Sequence, residues 1–429
     1  MIRLPLFLRG LLFVAALNFA LPGMGEQSLF AQNWPQFRGP AGNGHSEAEN
    51  VPVEWSHKKN VAWKVELPGE GWSSPIIWQD RIYLTAAVPT SDDETSRERS
   101  LRALCFDLAS GDEVWNIEVF QQSHEKSYSI HGKNSHASGT PITDGERLYV
   151  HFGPQGTACL TMDGEEIWKS RELYFDPRHG TGGSPILVDD LIVFNCDGYE
   201  TAEVAALDRF TGKLRWRTPR PPHDNMQKFA FCTPILIDVN GQKEIFSPGA
   251  FVAAAYAPED GEELWRISHP GYSVVPRPLF AHDHIFMATS FNESQLLVID
   301  PTGKGDVTNS HITGRFERGV PHTPSLLMVG MNLYLFSDNG IASCIDAKSG
   351  EEHWKKRIPG NYSSSPVYAD GKIYIASETG MCIVLEEGTT FKKLAQNPMD
   401  ERVFASFAPI DGGLIIRGEK HLFRIAAEK

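Results

Sequence analysis

The sequence predicts an all-β fold, an eight-bladed β-propeller of four-stranded antiparallel blades closed by the N-terminal strand. Three observations predict it. Eight prolines each open a β-rich run: Pro75, Pro141, Pro185, Pro234, Pro278, Pro324, Pro366 and Pro409. After a first gap of 66 residues they recur at 44, 49, 44, 46, 42 and 43, the period of one four-stranded blade. Second, a glycine stands four residues before a tryptophan at Gly111, Gly164, Gly212, Gly261 and Gly350. Third, each end of the chain holds an unmatched piece. Val61-Ala62-Trp63-Lys64-Val65 reads as a tryptophan strand with no repeat before it, and the last repeat stops near Ala427 after three strands.

The elements follow in chain order. Residues 1–25 place Arg3 and Arg9 around the mostly apolar stretch 4–19, with Pro22-Gly23 behind it. This reads as a secretory signal cleaved near 25 or 31, too short for a membrane span. No cysteine precedes Cys105, so a lipoprotein anchor has no attachment site. The expected location is the periplasm or the exterior, with residues 33–429 as one propeller domain and the protein a monomer.

Within a unit, Pro185 opens the innermost strand, since proline cannot donate to the ladder and fits where a strand starts. Ile186-Leu187-Val188 and Leu191-Ile192-Val193-Phe194 are β-branched and aromatic runs around the turn Asp189-Asp190. Val204 to Asp208 is a third strand, and Lys213 to Trp216 alternates as the outer one. The turn glycine can adopt positive φ, and the tryptophan can fill the wedge between blades. The fifth unit, around Asp300-Pro301-Thr302-Gly303, has no tryptophan. Two stretches break the period, a charged insertion from Thr90 to Ser100 and a polar connection from Gln121 to Ser138.

Loss of Arg3 and Arg9 takes the formal charge from −14 to −16. Such a chain lacks the basic face that nonspecific nucleic-acid binding requires. Six cysteines in an exported protein suggest disulfides. The register argues otherwise for Cys105, Cys159, Cys344 and Cys382, which fall where the third unit has Ala206. Equivalent positions in different blades are far apart, so these four are expected to be buried thiols. Cys196 and Cys232 remain free or paired.

The recurring Ala-x-Asp-x-x-x-Gly-x-x-x-Trp followed by Ser-Pro resembles the quinoprotein-type (PQQ-like) eight-bladed propellers over about residues 33–427. Asn33-Trp34-Pro35-Gln36-Phe37-Arg38-Gly39-Pro40 and Gly303-Lys304-Gly305-Asp306-Val307-Thr308 resemble exported bacterial members. The resemblance implies one of two functions. One branch holds PQQ-dependent alcohol and sugar dehydrogenases, with a calcium ion held by Glu, Asn and Asp. The other holds the BamB-type assembly scaffold, which binds proteins and no cofactor. No two cysteines are adjacent, unlike the vicinal disulfide typical of the alcohol dehydrogenases, and no motif matches the calcium set. The expectation is a non-catalytic binding or assembly scaffold of the cell envelope. The alternatives are a PQQ-dependent oxidoreductase with PQQ and calcium, and a carbohydrate-binding propeller. An envelope or extracellular protein is one expected partner.

Segments before the innermost strands lie at one mouth of a propeller channel. Here they hold His131, Lys133, Asn134, His136, Arg178, His179, His223, Asp224, Asn225, Lys228, Arg318 and His322, with Arg277 in the fifth. The expected site is Trp72, His136, His179, Lys228, Arg277, Arg318 and His322. Trp72 would be an aromatic platform, and clustered cations favour an anionic or carbonyl-bearing ligand. His136, His179 and His322 have no short-range ligand spacing, so no metal is expected. No nucleophile motif stands out, and Gly182-Gly183-Ser184-Pro185 is one instance of the repeat.

Overall fold

In the computed structural model, eight antiparallel sheets form a propeller ring. It describes residues 33–427 except 94, 95, 224 and 226, so the expected signal segment and Asp224 lie outside the described residues. Blades 1 to 7 follow one another from Ile76 to Pro398. Blade 8 takes three strands from the C-terminal end, Ala408–Ile410, Gly413–Arg417 and His421–Ala426. Its fourth is Val61–Glu66, with Trp63 opposite Arg424 and Val65 opposite Leu422. Ring closure leaves no free edge at that seam.

The tryptophans perform as their spacing predicts. A Cβ on Gly111 would lie 2.8 Å from Trp63, one on Gly212 would lie 2.4 Å from Trp168, and one on Gly261 2.5 Å from Trp216. Each of these glycines has positive φ. The indole N–H of Trp63, Trp115, Trp168, Trp216 and Trp354 donates to a carbonyl of the next blade, at 2.9–3.2 Å. In the fifth blade Phe316 takes this place against Gly350. Trp265 instead donates to Glu244 Oε2 at 2.8 Å, in the core shared by blades 4 and 5. The run Gly303–Thr308 adds a fifth, parallel strand to blade 4, Gly305–Asp306 beside Trp265 and Arg266.

Two prolines depart from the predicted register. Innermost strands begin directly after Pro75, Pro141, Pro185, Pro234, Pro278 and Pro366, but in blades 6 and 8 they begin after Leu326 and Phe407. Pro324 therefore sits two positions early, and Pro409 lies two late, inside Ala408–Ile410. The innermost strand is a sheet edge, where a missing N–H costs no ladder bond.

All six cysteines are buried and free. Cys105, Cys159 and Cys344 occupy the Ala206 position, each opposite the outer-strand tryptophan. Cys382 does not: it pairs with Asn397, and Val384 holds the equivalent place because the bulge in blade 7 falls after Val384. Burial pushes the Cys105 and Cys159 thiols up to about 12. Titration of the denatured, unreduced protein is expected to find six thiols and the native protein none. Two or fewer in the denatured protein would contradict this.

His151 supplies a pH dependence. Its ring is buried, stacked 4.4 Å from Phe194, with Nδ1 2.8 Å from Thr157 Oγ1. Burial lowers its pKa from 6.5 to about 4. Between those values the unfolded chain binds a proton that the folded chain refuses. The stability is therefore complete above pH 6.5 and lost as pH falls towards 4, at about 1.4 kcal/mol per unit. His151→Gln is expected to reduce the slope of the urea midpoint against pH over this window, with the buried His136 and His269 keeping the rest, and an unchanged slope would count against the assignment.

Candidate functional site

Each blade brings the start of its innermost strand to the axis, and the residues just before that start build a chamber in two tiers. The lower tier is Ser74, Thr140, Ser184, Thr233, Arg277, Ser325, Ser365 and Ser406. Backbone N–H groups donate around the ring to the next blade's hydroxyl. Ser74 donates to Thr140 Oγ1, Thr140 to Ser184 Oγ and Ser184 to Thr233 Oγ1, at 2.9–3.0 Å. Arg277 donates to Ser325 Oγ, Ser325 to Ser365 Oγ, Ser365 to Ser406 Oγ, and Ser406 to Ser74 Oγ, also at 2.9–3.0 Å. Only the step from Thr233 lacks a hydroxyl acceptor, because blade 5 carries Arg277. The seven hydroxyls accept these bonds, and among the described residues none donates to a protein acceptor.

The upper tier stands two residues earlier in each blade: Trp72, Ser138, Gly182, Phe231, Val275, Thr323, Ser363 and Phe404. Side chains here are large on blades 1, 4 and 8 and small on blades 2, 3 and 7. The space left is a cavity of about 620 Å³.

Residues 33–44 floor it, and residues 45–60 run out along blades 7 and 8. Trp34 pairs with Ile77 of blade 1, the Pro35 carbonyl accepts from Thr143 of blade 2, and Phe37 lines the cavity. Arg38 then reaches the Leu326 and Pro366 carbonyls at 2.6 and 3.0 Å. Gly42 has φ +66, and a Cβ there would lie 2.3 Å from Arg277 Nη1, so glycine lets the arm pass over that guanidinium.

The predicted polar connection Gln121–Ser138 roofs the mouth. Lys133 Nζ lies 3.4 Å from Asp338 of blade 6 and 2.9 Å from Glu378 of blade 7. Asn134 donates to the His179 carbonyl at 3.0 Å, and Arg402 of blade 8 donates to the Gly132 carbonyl at 3.4 Å. Burial works against the Lys133 charge, and Glu378 and Asp338 overcome it, holding the ammonium above its ordinary range.

Rings cover much of the wall. His131 and His179 are 5.6 Å apart, His179 and Phe229 5.6 Å, Phe229 and Tyr272 5.6 Å, Tyr272 and Phe291 5.4 Å, and Phe291 and His322 6.1 Å. Across the cavity Trp72 lies 4.6 Å from Phe404, with Arg402 4.7 Å from the Phe404 ring. Burial, then Arg178 and His131, hold His179 below the usual imidazole range.

Of the seven residues expected from sequence, Trp72, His179 and His322 line the cavity. His136 is buried behind the roof beside Tyr128, at 5.7 Å between rings. There burial, then Arg99 and Arg97, lower it to about 4. Arg277 is buried below the floor, where Nη1 donates to the Phe37 carbonyl at 2.7 Å. Arg318 is exposed and Lys228 half-buried, both outside the lining. Among the described residues no three His, Cys, Asp or Glu side chains gather as a metal site. Sequence reasoning missed Phe229, Phe231, Phe404, Tyr272 and the floor residue Phe37. Three of the wall aromatics carried a signal, since Trp72, Phe231 and Phe404 hold one repeat position.

The PQQ_2 family model, "Outer membrane protein assembly factor BamB", matches residues 249–394. Among solved structures the chain is similar to BamB from Moraxella catarrhalis, with TM-score 0.60 and 12% identity over 86% of this chain and 97% of that one. It is also similar to the quinohemoprotein alcohol dehydrogenase from Comamonas testosteroni, with TM-score 0.64 and 11% identity over 93% and 81%. A europium-containing methanol dehydrogenase gives TM-score 0.61 and 11% identity over 91% and 90%. No curated protein matches the sequence. At these identities the solved structures bear on the fold alone, an eight-bladed β-propeller, and the family model over residues 249–394 adds that the chain is similar to the PQQ-like, BamB-like propellers.

Proposed function

We propose that this protein is a non-catalytic binding scaffold of the cell envelope that holds a small organic ligand in the axial chamber. The observation that carries this reading is the two-tier ring: the repeat itself builds a floored, aromatic-walled cavity with inward donors. Cavities of this size with apolar walls and a few polar groups are typical ligand sites. Trp72, His179 and His322 would touch the ligand. His136 and Arg277 would act from behind the wall, and Lys228 and Arg318 from outside the lining. An envelope location rests on the expected export segment and the resemblance to BamB, and among the described residues no helix is long and apolar enough to cross a membrane.

Likeness to quinoprotein dehydrogenases favours a second reading, a quinone-dependent oxidoreductase. The donor set does not fit it. Calcium takes six to eight oxygens. Asp338, which lines the cavity, already accepts from the His322 and Thr323 N–H groups at 2.7 and 3.1 Å and from the Thr323 hydroxyl at 2.6 Å. Glu378 accepts from Ser363 at 2.7 Å and binds Lys133. A cation would have to displace Lys133.

A thermal-shift screen of small organic compounds tests the reading, since a ligand bound only by the native state raises the melting temperature. The expected result is a hit abolished by Trp72→Ala, with no dye reduction when PQQ, calcium and alcohols are added. Dye-linked turnover would overturn the non-catalytic reading in favour of the oxidoreductase. Retention on a polysaccharide resin would identify the ligand as carbohydrate.

A further inference from the structure

One position breaks the eightfold ring, and it breaks it with a charge. Seven blades place Ser or Thr at the lower tier, and blade 5 places Arg277. Serine there would supply the acceptor that the Thr233 step lacks; arginine gives that up and holds the arm through one bond, Nη1 to the Phe37 carbonyl. The guanidinium is 4% exposed and lies under Phe37, with Nε unpartnered. Arg38 of the arm is 1% exposed, bonded only to carbonyls, and its Nε is unpartnered too. Neither has a carboxylate within ion-pair distance among the described residues. Buried charges are ordinarily paired.

We propose, resting on the axial chamber as the binding site, that it takes an organic anion whose negative group sits on the hydroxyl ring above Arg277 and Arg38. Two independent features converge on that spot. Each of the seven hydroxyls accepts one backbone N–H, and its O–H is left to donate, which suits an anionic oxygen. Beneath them lie two uncompensated cations in a protein of formal charge −14. Burial, then Arg277, lower Arg38 to about 9, and burial lowers Arg277 to about 10. Both stay charged at neutral pH, and an anion in the cavity would relieve both. The aromatic wall would hold the ligand's apolar body.

The test uses two dyes of similar shape on the mature full-length protein: anionic 8-anilinonaphthalene-1-sulfonate and neutral N-phenyl-1-naphthylamine. The expected result is one sulfonate dye per chain, bound at least about tenfold more tightly than the neutral dye, the scale of a charge-assisted hydrogen bond. Arg277→Ser should remove that preference and leave neutral-dye binding unchanged, with the thermal transition checked because the bond to the Phe37 carbonyl is lost. If the serine variant loses its thermal transition, Arg277→Met makes the same comparison at similar volume. Equal binding of the two dyes to the unaltered protein, or a preference that survives loss of Arg277, overturns the anion assignment and leaves the binding scaffold standing. Binding of neither dye overturns both.

Discussion

A chain beginning at residue 67 is expected not to form a monomeric propeller. Residues 33–66 carry both the floor of the chamber and the fourth strand of blade 8. Without them His421–Ala426 loses five cross-strand partners and becomes an open edge that invites association. The arm also buries Trp34, Val51 and Trp55, each at 3% exposure or less. Those side chains are worth about 2 kcal/mol each, and the ladder bonds about 1 kcal/mol each. The loss of about 10 kcal/mol matches the whole stability of a typical protein, about 5–15 kcal/mol. A chain beginning at residue 33 should behave as a monomer with one cooperative thermal transition. Size exclusion and calorimetry on the two chains decide the matter. A monomeric 67–429 with an unchanged transition would refute the closure argument.

Arg220→Leu is expected to cost about 3–5 kcal/mol, because it leaves a buried carboxylate alone. Arg220 Nε and Nη2 meet the two Asp197 oxygens at 2.7 and 2.9 Å, with both side chains essentially out of water. The same guanidinium donates to the Ser247 carbonyl and hydroxyl at 3.0 and 2.8 Å and to the Pro248 carbonyl at 3.2 Å, tying blade 3 to blade 4. Burial works against the Arg220 charge, and the Asp197 carboxylate overcomes it, holding the guanidinium above its ordinary range. Adding Asp197→Leu to Arg220→Leu should recover part of the loss, since no charge then stays buried unpaired, while the bonds to Ser247 and Pro248 remain broken. Urea unfolding of the single and double variants measures both effects. A single variant within about 1 kcal/mol of the unaltered protein would contradict the pairing, since surface ion pairs are worth that little.

The contrast between Arg220 and Arg277 shows how far a sequence can be read. Arg277 drew attention because it stands in a repeat position. Arg220 stands in none, and the paired charge of Asp197 comes from the second strand of the same blade, with the third strand between them. His136 and His179 precede two consecutive blades and read alike in sequence. One ring lies in the cavity wall and the other behind the roof, because the Gln121–Ser138 connection folds back across the mouth. Pro324 and Pro409 looked like register markers, yet the hydroxyls of Ser325 and Ser406 hold the register. Proline marks where a strand is permitted to start, whereas a ring of hydrogen bonds requires equal height around the axis.

By itself the sequence determined the number of blades, the closing strand around Trp63, the tryptophan wedges and the free thiols at repeat positions. Each of these recurs at a fixed period, or completes one, and a side chain's surroundings in one blade are those of its counterpart in the next. Only the tertiary structure decided what occupies the axis. The floor drawn from residues 33–44, the roof latched by Lys133 to Asp338 and Glu378, and the guanidinium of Arg38 come from non-repeating segments, and Arg277 reaches the floor from the one repeat position that departs from the rest. Their contacts cross the ring between blades far apart in sequence, and no local pattern encodes a meeting at the one point where all eight blades converge.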